Sequence, residues 1–128
     1  MDQTIVVLDF GSQYTQLIAR RVREAKVFSK VYPFYAPFEE VMKDNPKGII
    51  FSGSPANVYA KNAPIPDNRF FYSGIPILGI CYGMQLLSHK LGGRVHKSRK
   101  REYGFSKLHI SKRASDLFEG LPKTVTCW

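Results

Sequence analysis

Only two cysteines occur, Cys81 and Cys127, so one disulfide is the most the chain can close. Nothing else points to an oxidising compartment, and both read as thiols. Long apolar runs are missing as well. Stretches such as Ile5–Leu8 and Ile75–Ile80 fall far short of the roughly 20 residues that cross a bilayer, which excludes a membrane helix. The N-terminus lacks the basic start and apolar core of a signal peptide, so the expected location is cytoplasmic. Acidic residues are scarce: ten stand against 19 lysines and arginines, for a net charge of +9. The imbalance is local, because between His89 and Arg113 nine basic residues face Glu102 alone. The run Lys97-Ser98-Arg99-Lys100-Arg101 could hold phosphates. It carries neither a reading module nor interleaved stacking aromatics, so no nucleic acid is expected as a partner. A solvated loop, or a patch turned toward an anionic substrate or a partner domain, accounts for it.

What is present is the composition of an ordinary packed domain, with 44% apolar and 23% charged residues in a 128-residue chain, about the size of one compact unit. Strand-like and helix-like periods alternate. Thr4 to Leu8, ending at Asp9, reads as a strand buried on both faces. From Tyr14 the spacing of Tyr14, Leu17, Ile18, Val22 and Ala25 predicts one apolar stripe of a helix. A strand over 27–32 and a helix begun at Pro37 with Glu39 and Glu40 follow. Gly48–Phe51 is a third strand, stopped by Ser52-Gly53-Ser54-Pro55. A short aromatic helix near Phe70–Tyr72, a fourth strand over 76–80 and a helix over 82–91 closed by Gly92-Gly93 complete the series. Such alternation implies an α/β fold: a three-layer, mainly parallel open sheet with helices on both faces. Beyond Gly93, Arg94–His96, Lys107–Ser111 and Thr124–Trp128 read as added or antiparallel strands.

The sharpest feature is Gly79-Ile80-Cys81-Tyr82-Gly83 between a buried strand and a helix. It has the form of a nucleophile elbow with cysteine in the nucleophile position. A residue there occupies a tight, strained turn, and the flanking glycines let strand and helix approach without side-chain clashes. The helix N-terminus favours thiolate over thiol. Acyl transfer also needs oxyanion donors; the N–H of Tyr82 is one, and the Ser52–Pro55 turn of a neighbouring strand is placed to give another. Gln85, four residues past Cys81, lies one turn along the same helix face, within reach of a ligand bound at the sulfur.

In this order, Asp9-Phe10-Gly11-Ser12-Gln13-Tyr14-Thr15-Gln16, Ser52-Gly53-Ser54-Pro55, Gly79-Ile80-Cys81-Tyr82-Gly83-Met84-Gln85 and Arg101-Glu102-Tyr103-Gly104 resemble the class I (triad) glutamine amidotransferase domains. The first and last strings look particular to the GMP synthase branch of that family. The resemblance covers essentially the whole chain and implies a flavodoxin-like sheet and hydrolysis of glutamine to glutamate and ammonia. It makes Cys81 the nucleophile, gives the oxyanion to the N–H groups of Tyr82 and Ser54, and assigns Gln85 and Gly53 to substrate. It implies no metal or cofactor in this domain. ATP and magnesium would serve only the ATP-pyrophosphatase (synthetase) domain or subunit that uses the ammonia to aminate xanthosine monophosphate to GMP. Glutamine and that synthetase are thus the expected partners, the stretch 94–113 is a candidate to face the latter, and an oligomer is compatible with the reading.

Two departures stand out. The family pattern has Gly-Gly before the turn proline, and here the second position is Ser54, which would be strained if the turn required positive φ. The family's histidine, in a His-Pro-Glu string, does not occur, so residues 1–128 read as a C-terminally incomplete amidotransferase domain with no synthetase domain. His89 is about 12 Å along the helix from Cys81 at the 1.5 Å rise, and neither His96 nor His109 matches the missing base. Little or no turnover is expected of the chain alone. Rival readings are a DJ-1-like or PfpI-like cysteine-elbow hydrolase and a non-catalytic binding or regulatory module.

Overall fold

Three consecutive side chains with no solvent exposure, Val6, Val7 and Leu8, mark β1 (Thr4–Asp9) as the centre of a sheet covered on both faces. The computed structural model describes residues 3–96, 106–109, 117 and 119–127. After β1 come α1 (Thr15–Glu24), β2 (Phe28–Pro33), α2 (Phe38–Met42), β3 (Gly48–Phe51), a 3₁₀ turn (Asn68–Tyr72), β4 (Ile77–Gly79) and α3 (Tyr82–Lys90). The four strands are all parallel, in the order β2-β1-β3-β4. This is the α/β fold that the alternating periods imply. By residue contacts the chain divides into two units, Met1–Val95 and His96–Trp128. In the second, β5 (Ser106–His109) pairs antiparallel with β6 (Thr124–Cys127). The basic run 97–101, the string Arg101–Gly104 and the ends of the two expected late strands (Ile110, Ser111, Trp128) lie outside the described residues.

The register Val6↔Ile49 and Leu8↔Phe51 puts these four side chains on one face of the sheet. There they pack with Phe10, Val41, Phe70, Phe71, Tyr82 and Leu86. Fully burying each large apolar side chain contributes about 1.5–3 kcal/mol, which makes this face the main source of stability. The aromatics interlock edge to face, Phe51 with Phe71 at 5.7 Å and Phe38 with Phe70 at 5.0 Å, a geometry their quadrupoles favour.

The opposite face carries α1, and here the expected stripe is corrected. The helix seats itself on its small residues: Thr15 and Ala19 are buried, and the Ala19 carbonyl accepts a hydrogen bond from the Ser29 hydroxyl of β2 (2.8 Å). Tyr14 and Leu17 are 59% and 42% exposed, and among residues 3–95 no helix besides α1 packs on this face. Leu17, Ile18 and Val22 there border an apolar groove with Ile50, Leu78 and Ile80. Arg94–His96 is not a strand; the Val95 N–H donates to the Tyr59 hydroxyl (3.3 Å) rather than to a ladder.

The 3₁₀ turn is tied down by Asp67, whose carboxylate accepts from the Arg69 N–H (3.0 Å) and pairs with its guanidinium (2.7 Å). Those bonds hold the Asp67 carboxyl down to about 2 from an ordinary 3.8. A carboxyl with a depressed folded pKa stabilises fully above its unfolded value, and the contribution disappears as pH falls through the folded one. Asp67→Asn should therefore melt at a lower temperature than the parent at pH 7, with the gap narrowing below about pH 5 and vanishing only below about pH 2. Parallel thermal melts across that range check it.

Candidate active site

Because β1 lies beside β3 and β3 beside β4, the loops leaving their carboxyl ends meet at one edge of the sheet, where open α/β sheets bind ligands. Cys81 stands at the tip of β4, immediately before α3, with φ 54° and ψ −113°. An L-residue pays for such a backbone in strain, and here it is held by its surroundings. The Ile80 N–H donates to the Phe51 carbonyl (3.0 Å), the Gly83 N–H to the Ile80 carbonyl (3.0 Å), and the Gln85 N–H to the Cys81 carbonyl (3.1 Å).

The two elbow glycines are required by close approach. A Cβ on Gly79 would lie 2.6 Å from the Met84 nitrogen, and one on Gly83 would overlap the Phe51 carbonyl oxygen. Gly83 therefore presses α3 against β3, a contact with the neighbouring strand that the sequence motif does not by itself identify. Tyr82 anchors the start of the helix: its ring is buried and its hydroxyl donates to the Pro64 carbonyl (2.7 Å). That burial raises the phenol's pKa.

The Cys81 side chain is exposed and faces a cleft of ≈ 430 Å³ lined by Gly11, Ser12, Gln13, Tyr14, Gly53, Ser54, Pro55 and Cys81. That volume falls in the ~300–1,000 Å³ range of small-molecule sites. Gly53 and Ser54 thus join Cys81 as expected. Ser54 is not among the residues with positive φ, so serine fits this turn without the strain that a required positive φ would bring. Its hydroxyl accepts from the Ala56 N–H (3.1 Å), bracing the turn across Pro55. Neither the Ser54 N–H nor the Tyr82 N–H has a hydrogen-bond partner among the described residues.

Gln85 is half-buried one turn along α3 and is not part of the cleft lining. His89 packs edge-on against Tyr59 at 4.9 Å, and no histidine lines the cleft among the described residues. Nor does any group of three or more His, Cys, Asp or Glu stand together to hold a metal ion among them.

The wall opposite Ser54 is formed by Gly11–Tyr14, which the chemistry of the elbow does not single out. Asp9 shapes it: one carboxylate oxygen accepts from the Gly11 N–H (2.9 Å) and the Thr15 hydroxyl (3.0 Å), while the Tyr14 N–H donates to the Ser12 hydroxyl (3.0 Å). A polar, glycine-containing loop directly after a fully buried parallel strand is the signal that could have found it.

The parallel sheet with a strained cysteine elbow at its carboxyl edge is that of a class I glutamine amidotransferase, and the chain belongs to this family, whose model, Glutamine amidotransferase class-I, matches residues 6–128. Membership separates it from the DJ-1-like hydrolases that share an exposed elbow cysteine. Within the family its sequence is similar to GMP synthases. It is 56% identical over 124 residues to GMP synthase (glutamine-hydrolyzing) of Aquifex aeolicus, covering 97% of this chain and 24% of that protein. It is 52% identical over 124 residues to the protein of the same name from Thermus thermophilus, with the same coverage. The crystal structure of a candidate GMP synthase subunit from Thermoplasma acidophilum matches with a TM-score of 0.76 at 29% identity, covering all of this chain and 64% of that one. The chain spans about a quarter of the length of the curated relatives it matches.

Proposed function

We propose that this chain is the glutamine-hydrolysing part of a GMP synthase. The observation that carries the reading is the exposed Cys81, held at positive φ before a ligand-sized cleft whose rim includes Ser54. The Cys81 sulfur attacks the carboxamide carbon of glutamine, and the oxyanion is held by the N–H groups of Tyr82 and Ser54. Collapse of that adduct breaks the C–N bond, the thiol proton leaves with the nitrogen as ammonia, and a γ-glutamyl thioester remains. Water then adds to the thioester, releasing glutamate and restoring the thiol. Gly53, in the wall beside Ser54, presents no side chain to the cleft, and Gln85, one helical turn from Cys81 and outside the lining, reaches a bound substrate from the helix side.

The name shared by these relatives supports the destination of the ammonia: amination of xanthosine monophosphate by an ATP-pyrophosphatase domain or subunit, where ATP and magnesium are used. The cytoplasm is the compartment proposed for this reaction. No helix among the described residues is long and apolar enough to cross a membrane.

A glutamine-shaped diazo-ketone tests the reading. It should modify Cys81 stoichiometrically, glutamine should slow the reaction at least tenfold, and Cys81→Ala should stay at background. Modification that glutamine does not slow would refute it.

A further inference from the structure

Ser52 has no solvent exposure, and a hydroxyl at the end of a buried strand needs partners or destabilises the fold. One of its partners lines the cleft and the other leads into the facing wall. The Ser52 oxygen accepts from the Phe10 N–H (2.9 Å), the residue from which the Gly11–Tyr14 wall departs. Its proton goes to the Gly53 carbonyl (3.1 Å), in the opposite wall.

The second bond has a geometric consequence. The peptide joining Gly53 to Ser54 is planar and trans, as no cis bond occurs among the described residues, so its C=O and N–H point in opposite directions. Anchoring the Gly53 oxygen against the buried Ser52 hydroxyl turns the Ser54 N–H away from the interior. No described residue accepts a hydrogen bond from it, while Ser54 itself lines the cleft with Cys81. Gly53 cannot impose this orientation, since a residue without Cβ tolerates rotation of the following peptide plane. The room around it does not impose it either: a Cβ there would meet Cys81 and Ser12 only at ordinary contact distances of 3.5 and 3.8 Å.

We infer that Ser52 is a positioning residue for glutamine hydrolysis: its hydroxyl clamps the Gly53 carbonyl, aims the Ser54 N–H at the oxyanion, and ties that donor to the Phe10 end of the facing wall. The inference rests on the glutaminase reading above. Ser52 touches no substrate; it acts through the Gly53–Ser54 peptide. Its effect therefore falls on the step in which negative charge develops and spares binding.

The experiment measures γ-glutamyl transfer from glutamine to hydroxylamine, which intercepts the thioester without help from a base, in the parent protein and in Ser52→Ala, Ser52→Cys and Ser52→Thr. Loss of one oxyanion donor costs about 10²–10³ in kcat. A misaimed donor in Ser52→Ala should cost at least about tenfold in kcat, with KM within about threefold of the parent and iodoacetamide alkylation of Cys81 within about twofold. Ser52→Thr, which keeps the hydroxyl, should recover kcat to within about threefold. Should Ser52→Ala fail to melt cooperatively, Ser52→Cys decides, since it fills the same space with a weak donor and should show the same loss of kcat. The inference is overturned by parent-like kcat in the folded Ser52→Ala or Ser52→Cys variant, or by a fall in kcat matched by an equal fall in iodoacetamide reactivity. A parent protein that forms no hydroxamate at all overturns the glutaminase reading itself, and this inference with it.

Discussion

Gly83→Ala should destabilise the protein by about 3 kcal/mol, the upper end of what overpacking a buried contact ordinarily costs. The added methyl has nowhere to go. It would overlap the carbonyl oxygen of Phe51 and stand 2.7 Å from that residue's Cβ. Phe51 is fully buried and its carbonyl accepts the Ile80 N–H. Relief requires α3 to move off β3, which breaks the bond that sets the elbow. Gly53→Ala is the control from the same site: its Cβ would meet only ordinary contacts, the nearest at 3.5 Å, and the φ there is not positive. That change should cost below about 1 kcal/mol. Denaturant midpoints at unchanged slope measure both. Equal losses in the two variants would show that the elbow glycine is not a packing requirement.

Cys81→Gly should be inert and yet more stable than the parent by about 1–2 kcal/mol, the usual penalty for an L-residue in a left-handed backbone. The cysteine holds φ 54° while its side chain is exposed, so removing the thiol forfeits little packing and relieves the strained backbone. Cys81→Ala is the necessary comparison: it deletes the same sulfur but retains a Cβ and the strain. Both variants should lose all γ-glutamyl transfer, and only the glycine should gain stability. This opposition of stability and activity is expected where a site stores strain to present a nucleophile. A glycine variant no more stable than the alanine one would mean that the turn is relaxed.

Why the elbow and the central strands are legible in the sequence, while half of the cleft is not, follows from the range of the forces involved. β1 and β3 announce themselves because Val6-Val7-Leu8 and Ile49-Ile50-Phe51 are short continuous apolar runs, the pattern of an inner parallel strand, although only β1 is fully buried along its run and Ile50 borders the apolar groove. The elbow is local too: Gly79, Cys81 and Gly83 sit within five residues, and their spacing encodes the close approach. The wall Gly11–Tyr14 depends instead on the strand order β2-β1-β3-β4, which brings residue 12 beside residue 53 through pairing that no short-range pattern specifies. Helix α1 misleads for a related reason. Leu17 lies on its apolar stripe, but the helix is pinned through Ala19 to Ser29, and no other helix among residues 3–95 packs on that face of the sheet. Gln85 has the right helical phase for the site, yet the cleft opens on the side of Cys81 held by the β1 and β3 loops.

In the proposed reaction Cys81 accepts the γ-glutamyl group of glutamine. Formation of γ-glutamyl hydroxamate from glutamine and hydroxylamine reads that event directly. Hydroxamate should form with the parent protein and not with Cys81→Ala under the same conditions. Hydroxamate from the alanine variant at the parent's rate, or none from either, would contradict that role for Cys81.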